Sequence, residues 1–445
     1  MRDRFLWIGC AAYAALLAAL GVVKYDVHRN LVDFGIFAQT VASAFGCFCN
    51  PLEGSHWAFH FSPVLYAVAI AVWFVHSPLT LIVLQAIAGA LCAPPIYAIV
   101  RARAGVAPAR LAALVVWLYP PLAGTIFGDF HENGFAPAAV AWALYAFDAR
   151  SFVLAGAAVL AALAVKEDQA IFLAVAGGAG AFVYRSDAAR RTFCLAAAAL
   201  SVLVAAVFFG VIEPHAAANA AWQPERFYAW NGDDWAGLVP VGLLQRLGFL
   251  VLVMVPLALL PLRSPWIAVA VVPLLEVLAS RMSTTYTLGT HYAGAWAGYV
   301  LAAFAFGAAG LGTRAKGALL WALGLCVVEL LVANPLHPGM NLRAVQPRDV
   351  VLDAVLARLP RDASIATQEE AYTHLALDDP YARLLPEYAN VETEACLVLV
   401  DRDFPESPRL TEYADTLEAL VVTGRYALVG REDGIEVYRR VTACR

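Results

Sequence analysis

Four segments of this chain combine ionisable side chains with long apolar flanks. The first, NLVDFGIFAQ at residues 30–39, carries Asp33 among apolar residues. Its carboxylate could serve as a general base, or it could cap the helix that FGIFAQ predicts. Taken alone, the pattern favours the cap over the catalyst.

The second segment, GDFHENG at residues 128–134, directly follows an apolar run. It places two acids and an imidazole within four positions, namely Asp129, His131 and Glu132. This combination predicts a general-base cluster or a site for a divalent ion such as Mg²⁺ or Mn²⁺, with these three residues as candidate ligands. A solvated turn has the same composition and is the alternative.

The third segment, VKEDQ at residues 165–169, lies between two apolar runs with almost no loop. Lys166, Glu167 and Asp168 therefore fall where a hairpin of two helices would turn. Ionisable groups at membrane depth are costly and usually functional, whereas a lysine at the interface can extend its head to water. Since the chain has only three lysines, we weigh a substrate-binding role equally with an interfacial turn.

The fourth segment, SRMSTTYTLGTHY at residues 280–292, offers Arg281, His291 and Tyr292 together with several hydroxyls. Cationic and hydroxyl donors near a membrane surface suit a phosphate group. His60, in the polar segment GSHWAFHFSP, is a further candidate for substrate binding. The acids and aromatic residues of segment 213–237 could form a sugar-stacking surface or ordinary interface anchors.

Composition places most of the chain in lipid. Of its residues 61% are hydrophobic and 15% charged, and the mean hydropathy is +0.68, whereas soluble domains carry about 25% charged residues. The first apolar run has the length of a retained spanning helix, not of a cleaved signal. Eleven runs predict membrane helices, over residues 5–23, 79–100, 111–127, 135–147, 152–165, 169–184, 192–212, 240–262, 265–279, 293–311 and 317–333.

The distribution of basic residues predicts the orientation. A further apolar run, 61–76, is expected to lie in or dip into the outer interface, because a crossing there would place the three arginines of segment 101–110 outside. The short inner segments then hold twelve basic residues and the outer ones six. This predicts a multi-pass protein of the bacterial cytoplasmic membrane with a cytoplasmic N-terminus, and all four charged segments on its outer face.

The composition changes near residue 334, where three prolines mark a linker. VLDAVLARL has helical spacing, and SIATQ, CLVLVD, YALVG and GIEVYRR are strand candidates. We expect an extracytoplasmic α/β domain over residues 334–445, after a membrane domain over residues 1–333. In an oxidising periplasm Cys396 and Cys444 could pair.

DFGIFAQ, HFSPVLYAVAI, DFHENGFA and VKEDQAIFLA together resemble a bacterial and archaeal family of predicted membrane proteins of unknown function. That family is grouped with the C-type glycosyltransferases, which use polyprenyl-phosphate sugars and include dolichyl-phosphate-mannose protein mannosyltransferases and aminoarabinose transferases. The likeness covers essentially the whole chain and is most specific over residues 30–170. It implies an all-α polytopic fold with about eleven transmembrane helices and outer juxtamembrane helices, followed by the small α/β domain.

The resemblance also implies roles for individual residues. Asp33 matches an essential acid in the first outer loop, and segment 61–76 matches the juxtamembrane segment that follows it. Asp129 to Glu132 match a second acidic motif, but read DFHE where better-known members have DxD-like or plain-acid forms, which puts metal dependence in doubt. Lys166 matches the family's KED motif.

The activity implied is transfer of a sugar from a polyprenyl-phosphate donor to a saccharide, lipid or protein acceptor at the outer membrane face. Asp33 would take the acceptor proton, and Lys166, Arg281 and His291 would hold the departing phosphate. Two other functions stay open: a lipid or saccharide transporter or flippase, and a scaffold of envelope assembly. We expect no nucleic-acid partner.

Overall fold

A computed structural model describes residues 3–217, 223–386, 394–404 and 408–442. Within them the chain forms two compact units. The first comprises Met1–Ala19, Trp57–Leu65 and Val83–His337, and the second comprises Leu20–His56, Tyr66–Ile82 and Pro338–Arg445. These units do not test the predicted division at residue 334, which stays a prediction.

Helices form almost all of the first unit. Three α-helices contain a boundary between the units, Arg4–Asp26, Val64–Phe74 and Leu79–Ala90, and so does the 3-10 turn His56–Ala58. The remaining α-helices of the first unit are Ala93–Ala104, Val106–Leu118, Pro120–Phe127, Ala136–Asp148, Phe152–Leu163, Glu167–Val183, Ala188–Val207, Glu213–Ala217, Gln223–Tyr228, Gly232–Gly237, Leu243–Met254, Val271–Ala279, Ala293–Ala309 and Ala315–Val332. Its 3-10 helices are Glu132–Phe135, Leu260–Arg263, Pro265–Ala270, Ser283–Tyr286 and Gly312–Arg314, and its π-helical turns are Phe208–Ile212 and Leu238–Gly242.

Four helices of the described residues have the length and apolarity to cross a membrane: Arg4–Asp26, Leu79–Ala104, Ala188–Ala217 and Gly312–Val332. A fifth span results if Val106–Leu118 and Pro120–Phe127, bent by 48°, count as one. The predicted number of about eleven is therefore not confirmed. The other runs do form helices, but those of 12 to 17 residues extend only about 18–26 Å, less than the roughly 30 Å of a hydrocarbon core.

Apolar side chains on the outside of these helices suit contact with lipid. Of the most apolar 18-residue stretch of helix Ala188–Ala217, only 11% is buried inside the protein. In contrast, every residue of Ala293–Ala309 is buried, so this helix forms the centre of the first unit. Its small residues permit close packing. A Cβ added at Gly294 would lie 2.3 Å from the Asn133 carbonyl oxygen, so only glycine fits this contact with the GDFHENG turn.

The apolar run 61–76 contains the helix Val64–Phe74 of 11 residues. A helix of this length extends about 16 Å and cannot cross a bilayer alone. This agrees with the predicted juxtamembrane element, whose interfacial position stays a prediction.

The second unit combines the helix Val32–Ala42 with a five-stranded sheet. The strand order is Ala382–Leu384, Ile365–Thr367, Leu397–Asp401, Ile435–Arg440, Tyr426–Glu432, with the first two pairs parallel and the last two antiparallel. Its other helices are Pro338–Asn341, Pro347–Arg358, Glu369–Leu375 and Pro408–Val422. The predicted small C-terminal α/β structure is confirmed, and Ala382–Leu384 is the strand that the sequence did not indicate.

Short elements and cysteines complete the second unit. The two-residue strands Cys49–Asn50 and Gly54–Ser55 pair antiparallel, followed by the 3-10 turn His56–Ala58. A disulfide joins Cys47 to Cys49. Of the predicted pair Cys396 and Cys444, the second residue lies outside the described residues.

Candidate active site

Lys166 is the centre of a buried charged cluster in the first unit. It occupies the N-cap position of helix Glu167–Val183, in an extended conformation between that helix and the preceding helix Phe152–Leu163. The buried ammonium lies 3.8 Å from the fully buried Glu132 carboxylate. Burial acts to lower the pKa of Lys166, but Glu132, Glu167 and Asp168 outweigh it and raise that pKa above its ordinary value. The lysine is therefore charged at neutral pH.

Glu167 joins this turn to the segment that precedes the juxtamembrane helix. The backbone N–H of Phe61 donates to Glu167 Oε2 over 2.8 Å, and His60 Nδ1 lies 3.0 Å from Glu167 Oε1. Burial and Lys166 act to lower the pKa of His60, but the Glu167 charge outweighs them and the pKa is raised. His60 and Glu167 thus form an ion pair beside the lysine.

The GDFHENG turn is held by an amide from a neighbouring helix. Gln85 Nε2 donates to the carbonyl of Asp129 over 3.2 Å, and Gln85 Oε1 accepts from the backbone N–H of His131 over 2.9 Å. The chain is extended at His131 and becomes a 3-10 helix at Glu132. This anchor fixes the direction in which the Glu132 side chain enters the cluster.

His131 connects this turn to the segment 280–292. Its Nδ1 lies 2.8 Å from Glu132 Oε2, and its ring stacks on His291 with centroids 3.7 Å apart. Tyr292 contacts the His291 ring and interacts electrostatically with Lys166. Five of the predicted site residues from three distant segments therefore meet: Glu132, His131, Lys166, His291 and Tyr292.

The predicted metal ligands Asp129, His131 and Glu132 do not converge. Within the described residues, ligand atoms of these three do not all lie within 4.8 Å of one another. The chain turns from extended to 3-10 within this segment, so that the three side chains leave the backbone in different directions. The His131–Glu132 pair is the part of that set that the fold brings together.

Asp168 is buried one residue further along the helix. Gln169 donates to Asp168 Oδ1 over 3.4 Å and to the carbonyl of Ala295 over 3.2 Å, and it accepts from the Tyr299 hydroxyl over 3.0 Å. These bonds fasten the VKEDQ turn to the central helix. The site thus rests on buried helices.

The remaining two predicted site residues are Arg281 and Asp33. Arg281 Nη1 donates to Asp234 over 3.0 Å, and its Nε donates to the carbonyl of Arg226, so its guanidinium fastens two outer segments. Asp33 belongs to the second unit, in the first turn of Val32–Ala42. The N-cap of that helix is Leu31, so the interpretation of Asp33 as the cap is wrong.

Glu276 is a site residue that the sequence reasoning missed. It lies in the apolar helix Val271–Ala279, interacts electrostatically with Asp168 and Lys166, and accepts from the Tyr228 hydroxyl over 3.4 Å. A single acid within an apolar run was the available signal. Gln85 and Gln169 were missed for a different reason, because an amide in an apolar run has no charge to draw attention to it.

The cluster carries an excess of negative charge. Glu132, Glu167 and Asp168 face the single ammonium of Lys166, with His60 beside Glu167. Buried charges need partners, and an acid-rich pocket with a lysine can exchange protons or hold a cation between carboxylates and an anionic ligand. The segment 213–237 adds Trp230 and Trp235, with ring centroids 4.9 Å apart, while its residues 218–222 lie outside the described residues.

Comparison with solved structures identifies the fold. The chain superposes on ArnT from Cupriavidus metallidurans bound to undecaprenyl phosphate with a TM-score of 0.60, at 13% identity and over 99% of both chains. The apo form of that protein gives a TM-score of 0.48 at 11% identity, over 96% of this chain and 98% of that one. The Archaeoglobus fulgidus oligosaccharyltransferase complex with Zn and sulfate gives 0.43 at 14% identity, over 88% of this chain and 68% of that one. The fold assignment rests on the first of these.

The family follows from sequence. No protein among those with curated descriptions matches the chain. The model of the DUF2079 family, described as predicted membrane proteins, matches residues 25–437. This chain therefore belongs to the DUF2079 family of predicted membrane proteins and has the fold of a C-type glycosyltransferase.

Proposed function

We propose that this protein transfers a sugar from a polyprenyl-phosphate donor to an acceptor at the outer face of the bacterial cytoplasmic membrane. The fold supports this, since a solved structure that it matches over 99% of its length is an ArnT bound to undecaprenyl phosphate. The observation that carries the proposal is the buried Lys166, which lies 3.8 Å from Glu132 and interacts electrostatically with Tyr292. A membrane protein without chemistry has little use for a buried ammonium among carboxylates.

The reaction breaks the bond between the sugar C1 and the phosphate oxygen and forms a bond from C1 to the acceptor oxygen. The sugar passes through an oxocarbenium-like state while the phosphate gains charge. Lys166 and Tyr292 would stabilise that charge by donating to phosphate oxygens. The acceptor proton would pass to a carboxylate, for which Asp33 is our candidate from the family resemblance.

A divalent cation such as Mg²⁺ or Mn²⁺ fits the negative excess of the cluster. Glu132 and His131 are the residues that would hold it. Such an ion would offset the carboxylates and draw the phosphate towards Lys166. We assign Arg281 a structural role, since Asp234 already engages its guanidinium.

The orientation with cytoplasmic N-terminus and extracytoplasmic C-terminal domain is part of this proposal. A cysteine introduced at the exposed Asp362 should react with a membrane-impermeant thiol reagent from the periplasmic side. The background should be low, since the free cysteines of the described chain are all buried. Reaction only after lysis of the inner membrane would reverse the orientation.

The experiment that tests the function is transfer of radiolabelled sugar from a lipid-extracted donor in proteoliposomes. Asp33→Asn keeps the size of the side chain and removes the proton acceptor. We expect at least about a hundredfold loss of transfer at unchanged folded yield, while the exposed Asp415→Asn retains full activity. Wild-type transfer by Asp33→Asn would exclude it as the base.

A transporter or flippase is the second candidate, and the bent helix pair Val106–Leu118 and Pro120–Phe127 favours it. Discontinuous helices commonly line transporter sites near the bilayer midplane. Here the second half of the pair leads directly into the GDFHENG turn, which suits positioning of that motif. Movement of labelled lipid across proteoliposomes without sugar transfer would favour the transporter.

A further inference from the structure

Two histidines and an aspartate meet in the second unit, and none of the three belongs to the Lys166 cluster described above. His28 follows the first helix, Asp353 lies on helix Pro347–Arg358, and His374 lies on helix Glu369–Leu375. His28 Nε2 lies 3.2 Å from Asp353 Oδ1, and His374 Nδ1 lies 3.6 Å from the same oxygen. These three ligand atoms all lie within 4.8 Å of one another.

The spacing suits a shared metal ion. Ligands of a tetrahedral Zn²⁺ at about 2.1 Å from the ion lie about 3.4 Å from one another. Both imidazole-to-carboxylate distances are close to that value, whereas a charge-assisted hydrogen bond is shorter, at about 2.7–2.9 Å. One carboxylate could pair with one imidazolium, but two stacked imidazoles, 4.0 Å apart, cannot both be protonated beside each other at low cost.

The ring nitrogen of His374 that faces away from Asp353 makes a hydrogen bond of the kind that metal-ligating histidines usually make. Its Nε2–H donates to the carbonyl of Tyr25 over 3.1 Å, which fixes the tautomer and leaves the Nδ1 lone pair directed at Asp353. Metal-ligating histidines usually make such a bond to a carbonyl or carboxylate. The Tyr25 ring stacks on His374 with centroids 4.0 Å apart and further restricts its orientation.

His28 is placed there at a structural cost. It is fully buried, and neither of its ring nitrogens has a hydrogen-bond partner within the part of the chain described. A buried imidazole without a hydrogen bond is costly, and a metal ion would satisfy it.

Asp353 and His374 also line a cavity of about 190 Å³. Arg361, Asp378 and Asp379 line the same cavity. A metal at the three ligands would therefore have a polar space beside it for a water or a small anion as the fourth ligand. Catalytic zinc sites have three protein ligands and an open position of this kind.

We propose that His28, Asp353 and His374 form a zinc site that ties three segments of the second unit together and opens on this cavity. Two imidazoles with one carboxylate select zinc or a similar transition ion over Mg²⁺ and Ca²⁺, which prefer oxygen ligands. The proposal goes beyond the transferase function and does not depend on it.

The test measures zinc bound by the full-length protein in detergent. Metal content after equilibration with micromolar Zn²⁺ and gel filtration, together with the visible spectrum of the Co²⁺-substituted protein, reports both stoichiometry and ligand geometry. Wild type should hold one zinc at this site. Asp353→Asn removes a ligand that is half-exposed and should fold normally, and we expect it to lower zinc affinity by more than about tenfold. His374→Gln should do the same.

Two controls separate this site from others. The exposed Asp362→Asn on the same unit should bind zinc as wild type does, and His131→Asn should still hold the zinc of the second unit. Folded Asp353→Asn and His374→Gln that both bind as wild type would overturn the proposal, as would a wild type without zinc. Loss of zinc in His131→Asn alone would likewise place the ion elsewhere.

Discussion

Arg246 and Lys166 are both buried cations of the first unit, but their surroundings differ. Arg246 donates to the carbonyls of Gly242, Leu278 and Ser280 over 2.6–3.0 Å, and its guanidinium lies over the rings of Trp230 and Tyr286. The Lys166 ammonium has a carboxylate at 3.8 Å and, within the described residues, donates no hydrogen bond. One cation is fully engaged by backbone and aromatic rings, whereas the other is held by charge alone.

This difference separates structural from functional burial. Three carbonyl acceptors engage all three nitrogens of the Arg246 guanidinium, and two aromatic rings cover it, so little of it is left for a ligand. An ammonium with three rotatable donors and only ionic partners can turn to a phosphate when one arrives. Burial of a charged side chain by itself therefore does not indicate a ligand-binding site. The number of its N–H donors that no protein group already engages is the more useful criterion.

The largest effect on stability is expected at Arg246. Arg246→Met would leave two buried carbonyls and one partly buried carbonyl without their charged donor, and each such bond contributes about 1.5–3 kcal/mol. We expect a fall of several degrees or more in the unfolding temperature in detergent, with transfer per folded molecule unchanged. Arg314→Met, at an exposed arginine, should leave both unchanged. A wild-type unfolding temperature for Arg246→Met would show that the two cations do not differ in the way described.

A smaller effect, on activity, is expected at Glu132. Glu132→Gln keeps the shape of the side chain and removes the charge nearest Lys166, so the ammonium loses its position against the GDFHENG turn. We expect at least about tenfold lower transfer with an unfolding temperature near that of wild type. Glu418→Gln on an exposed helix face is the matched control. If Glu132→Gln is as active as wild type, then Glu132 plays no part in the chemistry.

The smallest effect is expected at His60, which is only partly buried. His60→Asn weakens one ion pair with Glu167 and leaves the bond from the Phe61 backbone in place. A partly exposed pair contributes roughly 1 kcal/mol or less, so transfer should fall by no more than about fivefold. His215→Asn, at an exposed histidine, should have no effect. A loss as large as that of Glu132→Gln would instead place His60 on the substrate.

The sequence identifies the charged segments of the site, but it does not predict which of their residues contact one another. VKEDQ and GDFHENG were both identified, but the contact of Lys166 with Glu132 joins residues far apart along the chain, and no local spacing encodes it. The same holds for His131 on His291. The sequence around Arg281 predicts a phosphate ligand, but in the structure its guanidinium donates to Asp234.

The predicted number of spans is not confirmed for a related reason. An apolar run predicts that a segment is buried in protein or lipid, but it does not predict the length of the helix that forms there. In the run 240–262 the helix ends at Met254, and Ala258 and Leu259 both adopt positive φ, close to two prolines. The strand Ala382–Leu384 was missed because three residues carry too little periodicity to be recognised.

The measurement that tests the central claim most directly is sugar transfer by Lys166→Met beside Lys316→Met in proteoliposomes. Both substitutions remove one ammonium and keep an apolar stem, but Lys316 is exposed and distant from the cluster in sequence. We predict at least about a hundredfold loss for Lys166→Met, wild-type transfer for Lys316→Met, and equal folded yields for all three proteins. Transfer by folded Lys166→Met at the wild-type rate would contradict the assignment of this lysine to the phosphate.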